Sequence, residues 1–277
     1  METIVNFIIS TAFLLAYSLL FVFLGGVIIE FMESKSNYYL QRAFGYGGIV
    51  VTGFGTVIHE LSHLIFAVIG RMRIEEVKLF RPIKGKQDGV LGYVNYRYNE
   101  KNYYHKVFLV LVGIAPIIGG TITILLSLKL LLPTVYTSLI ENISNINMSL
   151  SLFSVDLYKE LFLIVVSFMQ KLFIVDNFIS INFWIFMFII LSIASHMSLS
   201  GADIKGAIKG IPALFVLLIL INLIMSVLGI GIDVVHRCIT VLNMYVIMFL
   251  CISIVFSMVN ILITFVLYKI VALIIKK

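Results

Sequence analysis

His59, Glu60 and His63 stand in the order H-E-x-x-H, inside Gly55-Thr56-Val57-Ile58-His59-Glu60-Leu61-Ser62-His63. On a helix, residues four apart lie one above the other on a single face, so both imidazoles can reach one zinc ion. Glu60 is then placed to take a proton from a water that the metal activates. The surrounding stretch, about 44–69, is otherwise apolar. Ionisable groups in such a stretch cost several kcal/mol unless they are partnered, about 3 kcal/mol for a charge at a helix centre, and they are functional by default.

A catalytic zinc ordinarily takes three protein ligands and one water. Two residues offer the third ligand: His196 and Asp203, in Ser195-His196-Met197-Ser198-Leu199-Ser200-Gly201-Ala202-Asp203. Seven residues apart, they face the same way on a continuous helix. Residue types and spacing do not choose between them. Asp203 has a plainer use as well, capping a helix that starts after Gly201 or pairing with Lys205.

These residues must be held by a chain that is 61% hydrophobic and 12% charged over 277 residues, with a mean hydropathy of +1.11. A soluble domain is about 45–50% apolar and about 25% charged. The composition therefore excludes a disordered chain and an ordinary soluble globule. Two cysteines, Cys238 and Cys251, exclude a disulfide scaffold. A membrane-crossing helix needs about 20 mostly apolar residues. Six stretches meet that rule, at about 4–29, 44–69, 107–132, 181–200, 211–232 and 240–275. Residues 157–175 carry Lys159, Glu160, Gln170 and Lys171, which leave too short an apolar run to cross. They read as an interfacial amphipathic helix.

Fourteen of the 20 lysines and arginines fall on one side of a six-span chain, nine of them between spans 2 and 3. The positive-inside rule then puts both termini in the cytoplasm. The net charge of +6 is on this reading topological, and its partner is the lipid bilayer, not nucleic acid. Between spans 2 and 3, residues of about 72–99 alternate in polarity on either side of Lys84-Gly85-Lys86-Gln87-Asp88-Gly89. That pattern predicts a cytoplasmic, membrane-associated β-hairpin. The expected fold class is thus an all-α polytopic membrane protein with about six transmembrane helices, one small hairpin and no further domain.

Val57-Ile58-His59-Glu60-Leu61-Ser62-His63-Leu64, then Gly70, then Ile74-Glu75-Glu76-Val77-Lys78-Leu79, resembles the site-2 protease group of intramembrane zinc metallopeptidases. The resemblance covers about residues 50–205. It implies a hairpin after the HExxH span, then a span opening on a small-residue and proline motif. Gly113-Ile114-Ala115-Pro116-Ile117-Ile118-Gly119-Gly120 occupies that place. Gly113, Pro116 and Gly119 would line a substrate cleft, although packing is an equally physical use for small residues in a span. The resemblance also implies a third ligand from an aspartate in a later span, here Asp203, with His196 as reserve ligand or support. The group's Asn-Pro and Asp-Gly elements are absent here, and no asparagine follows Pro116.

The implied activity is zinc-dependent cleavage of a membrane-protein substrate within or near its transmembrane segment, in a prokaryotic plasma membrane. Glu60 would serve as general base and then as proton donor. A different class of function uses the same polar cluster as an ion or proton relay in a transporter or permease component.

Overall fold

The computed structural model describes residues 2–146, 154–228 and 233–275. It is helical apart from one two-stranded sheet. In chain order the elements are α1 (Glu2–Phe44), α2 (Tyr46–Val51), α3 (Gly53–Ile69), β1 (Arg73–Lys78), α4 (Gly85–Asp88), β2 (Tyr93–Arg97), α5 (Tyr103–Gly113), α6 (Ala115–Leu131), α7 (Pro133–Ser144), α8 (Val155–Leu172), α9 (Val175–Ile179), α10 (Ile181–Ser195), α11 (Gly201–Val227) and α12 (Asp233–Ile275).

Among the described residues, three helical stretches are long and apolar enough to cross a membrane: Thr11–Phe44, Gly201–Met225 and Arg237–Ile274. The chain is therefore membrane-associated. A fourth passage exists if α5 and α6 count as one span, bent by 55° at Ile114. Pro116 explains the bend, because it has no N–H to return to the Val112 carbonyl four residues back. Two further apolar helices are shorter, α3 and α10. The stretch expected as one helix over 44–69 breaks at Gly45, which has φ 64°, and again at Thr52. The final residues of the stretch expected at 211–232 lie outside the described residues.

Helix directions follow from who meets whom. Asn243 donates to Ser18, Leu250 packs on Gly25, and Tyr39 meets Phe265 edge-on and stacks with Tyr268, so α1 and α12 run parallel. Met197 and Ala194 meet Ser253 and Ser257, so α10 runs opposite to α12. Thr11 meets Asn222 while Gly26 packs on Leu199, so α11 also runs opposite to α1. Consequently α10 and α11 follow one another in the same direction across an extended stretch at 197–200. The sequence suggested two spans with a reversal between them; a discontinuous helix occupies that place. Being parallel, α1 and α12 lie with matching ends together. Their amino-terminal ends share one end of the bundle and their carboxy-terminal ends the other.

The largest buried cluster gathers Ile117, Ile124 and Leu128 of α6, Phe183, Phe186 and Ile190 of α10, and Phe249, Ile252 and Phe256 of α12. The amphipathic α8 is no detached surface helix. It lays Leu157, Leu161, Ile164, Phe168 and Leu172 into this cluster and leaves Lys159 exposed.

The hairpin forms as its alternation predicts. β1 and β2 pair antiparallel from Arg73–Arg97 to Lys78–Tyr93, with an irregularity between Ile74 and Glu76. It doubles back along α3. Ile74, Tyr96 and Tyr98 pack with Ala67 and Met72 near the end of α3, while Phe80 lies against Gly53 at its start.

Candidate metal centre

α3 presents His59 and His63 one turn apart, with ring centroids 4.8 Å apart. Each ring is oriented by a backbone carbonyl that a helix end leaves without its usual partner. His59 Nδ1 lies 2.8 Å from the carbonyl oxygen of His196, the residue at which α10 ends. The N–H that would close the next helical turn on that oxygen belongs to Ser200, and it donates instead to Asp203. His63 Nδ1 lies 2.9 Å from the carbonyl oxygen of Val112, the one that Pro116 cannot engage. Two broken helices thus leave two carbonyls without the N–H four residues on, and the two histidines face them.

The tautomers follow. A carbonyl only accepts, so Nδ1 carries the proton in both rings and both Nε2 atoms keep their lone pairs. Those two Nε2 atoms face each other at 3.1 Å. Two neutral rings so arranged repel unless a proton or a cation lies between them. Asp203 Oδ1 stands 3.3 Å from His63 Nε2, and the three ligand atoms lie within 4.8 Å of one another. Ligands at about 2.0–2.1 Å from a tetrahedral zinc are separated by about 3.3 Å. The donor types suit that ion, and the two separations at His63, 3.1 and 3.3 Å, match its spacing, while the full set spans up to 4.8 Å. The imidazole–carbonyl pairs are the supports that metal-binding histidines ordinarily have.

Asp203 is held from behind. Ser200 donates to its Oδ2 from both N–H, at 2.8 Å, and Oγ, at 2.6 Å. The Asp203 N–H returns a bond to Ser200 Oγ at 3.2 Å. This is a capping box at the start of α11, and it leaves Oδ1 for the histidines. Asp203 caps the helix through Oδ2 and keeps Oδ1 toward His63, so capping does not exclude a ligand role.

His196 does not join the ligand atoms. Its Nδ1 faces the Ser192 carbonyl at 2.9 Å, and its Nε2 stands 3.5 Å from Glu33 of α1. Ser198 Oγ donates to the other Glu33 oxygen at 2.7 Å. Ser192 Oγ in turn accepts from Gly55 N–H and donates to the Thr52 carbonyl, both at 2.9 Å. A Cβ on residue 55 would run into the Ser192 carbonyl and the His196 ring, so only glycine allows α3 to dock here.

Glu60 opens onto a cavity of about 630 Å³ shared by His59, His196, Glu30, Glu33 and the 85–92 segment of the hairpin. Gly92 passes against the Glu60 side chain, where any larger residue would collide with it. On the hairpin, burial pushes the Tyr96 phenol up to about 12, with the negative charge of Asp203 and then Tyr98 adding to it.

Gly113, Pro116 and Gly119 do not line this cavity. Gly113 packs on Asp203 and Ala207, Gly119 on Ser62, and Pro116 is buried at the start of α6. In the structure their part is close packing and the bend between α5 and α6. Glu33, Ser192 and Ser200 were not singled out from the sequence. Ser200-Gly201-Ala202-Asp203 does carry the S-x-x-D spacing of a capping box.

No family model, curated protein or solved structure matches this chain.

Proposed function

We propose that this chain is a zinc-dependent intramembrane endopeptidase of a prokaryotic plasma membrane, with His59, His63 and Asp203 as metal ligands and Glu60 as the acid–base residue. One observation carries the reading: two imidazole Nε2 lone pairs, each fixed by a carbonyl behind its ring, converge with a carboxylate on one point. A zinc ion bound there supplies Lewis acidity toward a peptide carbonyl and activates water.

The chain's own groups do the rest. The Glu60 carboxylate receives a proton from the attacking water and delivers it to the leaving amine nitrogen. The His196 and Val112 carbonyls hold the two rings at one angle throughout. The polar cavity beside Glu60 admits water and an extended peptide. The substrate on this reading is a membrane protein whose transmembrane helix unwinds locally to reach the site.

The test is metal analysis of detergent-purified protein, followed by cleavage of a reconstituted membrane-protein substrate. The reading expects about one zinc per chain, and cleavage by wild type that disappears in Glu60→Gln while zinc stays. Wild type that is free of zinc after careful handling overturns it and favours an ion or proton relay.

A further inference from the structure

The cavity beside Glu60 is bordered on its far side by α1, and the residues α1 offers are not those of an ordinary membrane helix. Glu30, Glu33, Ser34, Asn37 and Gln41 all line it. Their spacing of three, one, three and four residues makes a single polar stripe along one helix face. Three carboxylates, Glu30, Glu33 and Glu60, border the space, against one basic residue, Lys86. Glu33 is fixed by Ser198 and turned toward His196; Glu30 is exposed.

A second observation points to a ligand. Thr56 lines the same cavity, is only 7% exposed, and its Oγ1 has no hydrogen-bond partner. Its usual helical acceptor, the Thr52 carbonyl, is already engaged by Ser192 Oγ and Gly55 N–H. The Tyr46 hydroxyl on the cavity wall is likewise buried without a partner. Buried hydroxyls in native structures are almost always bonded, whereas these two oxygens at the cavity wall lack a partner among the described residues.

We propose that this cavity binds an extended peptide segment with a lysine or arginine side chain seated against Glu30 and Glu33, and with its backbone polar groups meeting Thr56 and Tyr46. The peptide class rests on the endopeptidase reading; the demand for a cation rests on the α1 stripe. A carboxylate pair at a partly enclosed wall attracts an ammonium or guanidinium and repels an acidic side chain, so the charge of one residue governs which peptides stay bound.

The test reads binding without turnover. Zinc-loaded, full-length Glu60→Gln protein in detergent is titrated with fluorescein-labelled nonapeptides that differ only at the central residue: lysine, norleucine or glutamate. The lysine peptide should bind about tenfold tighter than the glutamate peptide at low salt, and adding Glu30→Gln and Glu33→Gln should bring the two within about twofold. Should Glu33→Gln disturb the Ser198–His196 network, seen as lost zinc, Glu30→Lys alone should reverse the order. Equal binding of the three peptides by the parent protein overturns the inference. So does a lysine preference that survives both glutamate substitutions and Glu30→Lys. Proteolysis plays no part in this readout, so an inactive wild type counts against the endopeptidase reading and leaves the peptide order to decide the cation site.

Discussion

Ser200 and Asp203 hold each other reciprocally: the serine N–H and hydroxyl both donate to Asp203 Oδ2, and the Asp203 N–H donates back to the serine oxygen. This pair leaves Asp203 Oδ1 facing His63 at 3.3 Å. It also takes up the Ser200 N–H, so the His196 carbonyl stays open to His59. One cap at the start of α11 therefore sets two of the three proposed ligand positions.

Ser200→Ala removes the hydroxyl and keeps the backbone N–H. Zinc affinity should fall by about tenfold, as it does when a supporting partner of a metal ligand is lost. The helix start should lose about 1 kcal/mol with its cap. Competition with a fluorescent chelator measures the first and thermal unfolding in detergent the second. Ser200→Thr, which restores a hydroxyl, should recover most of both. Unchanged affinity in the alanine variant would remove Asp203 from the ligand set.

Pro116→Ala should separate stability from metal binding. Alanine brings back an N–H four residues after Val112, and that N–H competes with His63 for the carbonyl. The α5–α6 bend should relax, and zinc should bind about tenfold more weakly while the helix itself is no less stable. Retained affinity together with a straightened helix would show that His63 has no need of Val112.

His59→Ala and His63→Ala should each abolish bound zinc, because two remaining donors cannot complete the site. Asp203→Ala should do nearly the same. His196→Ala should keep its metal, since the carbonyl that orients His59 belongs to the backbone and survives the substitution. Metal analysis of the four variants side by side checks this. Zinc lost from His196→Ala and kept by Asp203→Ala would exchange their roles.

Two glycines give an internal control on packing. Gly55→Ala puts a methyl group into the Ser192 carbonyl and the His196 ring, and should cost about 1–3 kcal/mol. Gly206→Ala, inside α11, meets nothing within 4 Å and should gain about 0.5–1 kcal/mol from helix propensity. Thermal unfolding of the two in the same detergent should move in opposite directions.

The sequence by itself determined the chemistry on offer. HExxH fixes two ligand atoms on one helix face because the 3.6-residue turn leaves them nowhere else to go. The apolar composition and the alternating 72–99 segment likewise announced apolar helices and a hairpin before any tertiary contact was known. What the sequence left open was every relation between distant segments. Asp203 and His196 were equal as third donors on a continuous helix; they separate because the chain unwinds at 197–200, turning Asp203 to His63 and His196 to Glu33. Glu30 and Glu33 sat just beyond an expected span, and they become the wall of the cavity only because α1 runs on unbroken to Phe44. The direction of α10 and α11 was beyond reach for the same reason. Hydropathy records which segments avoid water, and it carries no information about whether the next segment reverses or continues. That is decided by which side chains pack, as Asn243 on Ser18 and Ser257 on Ala194 do here.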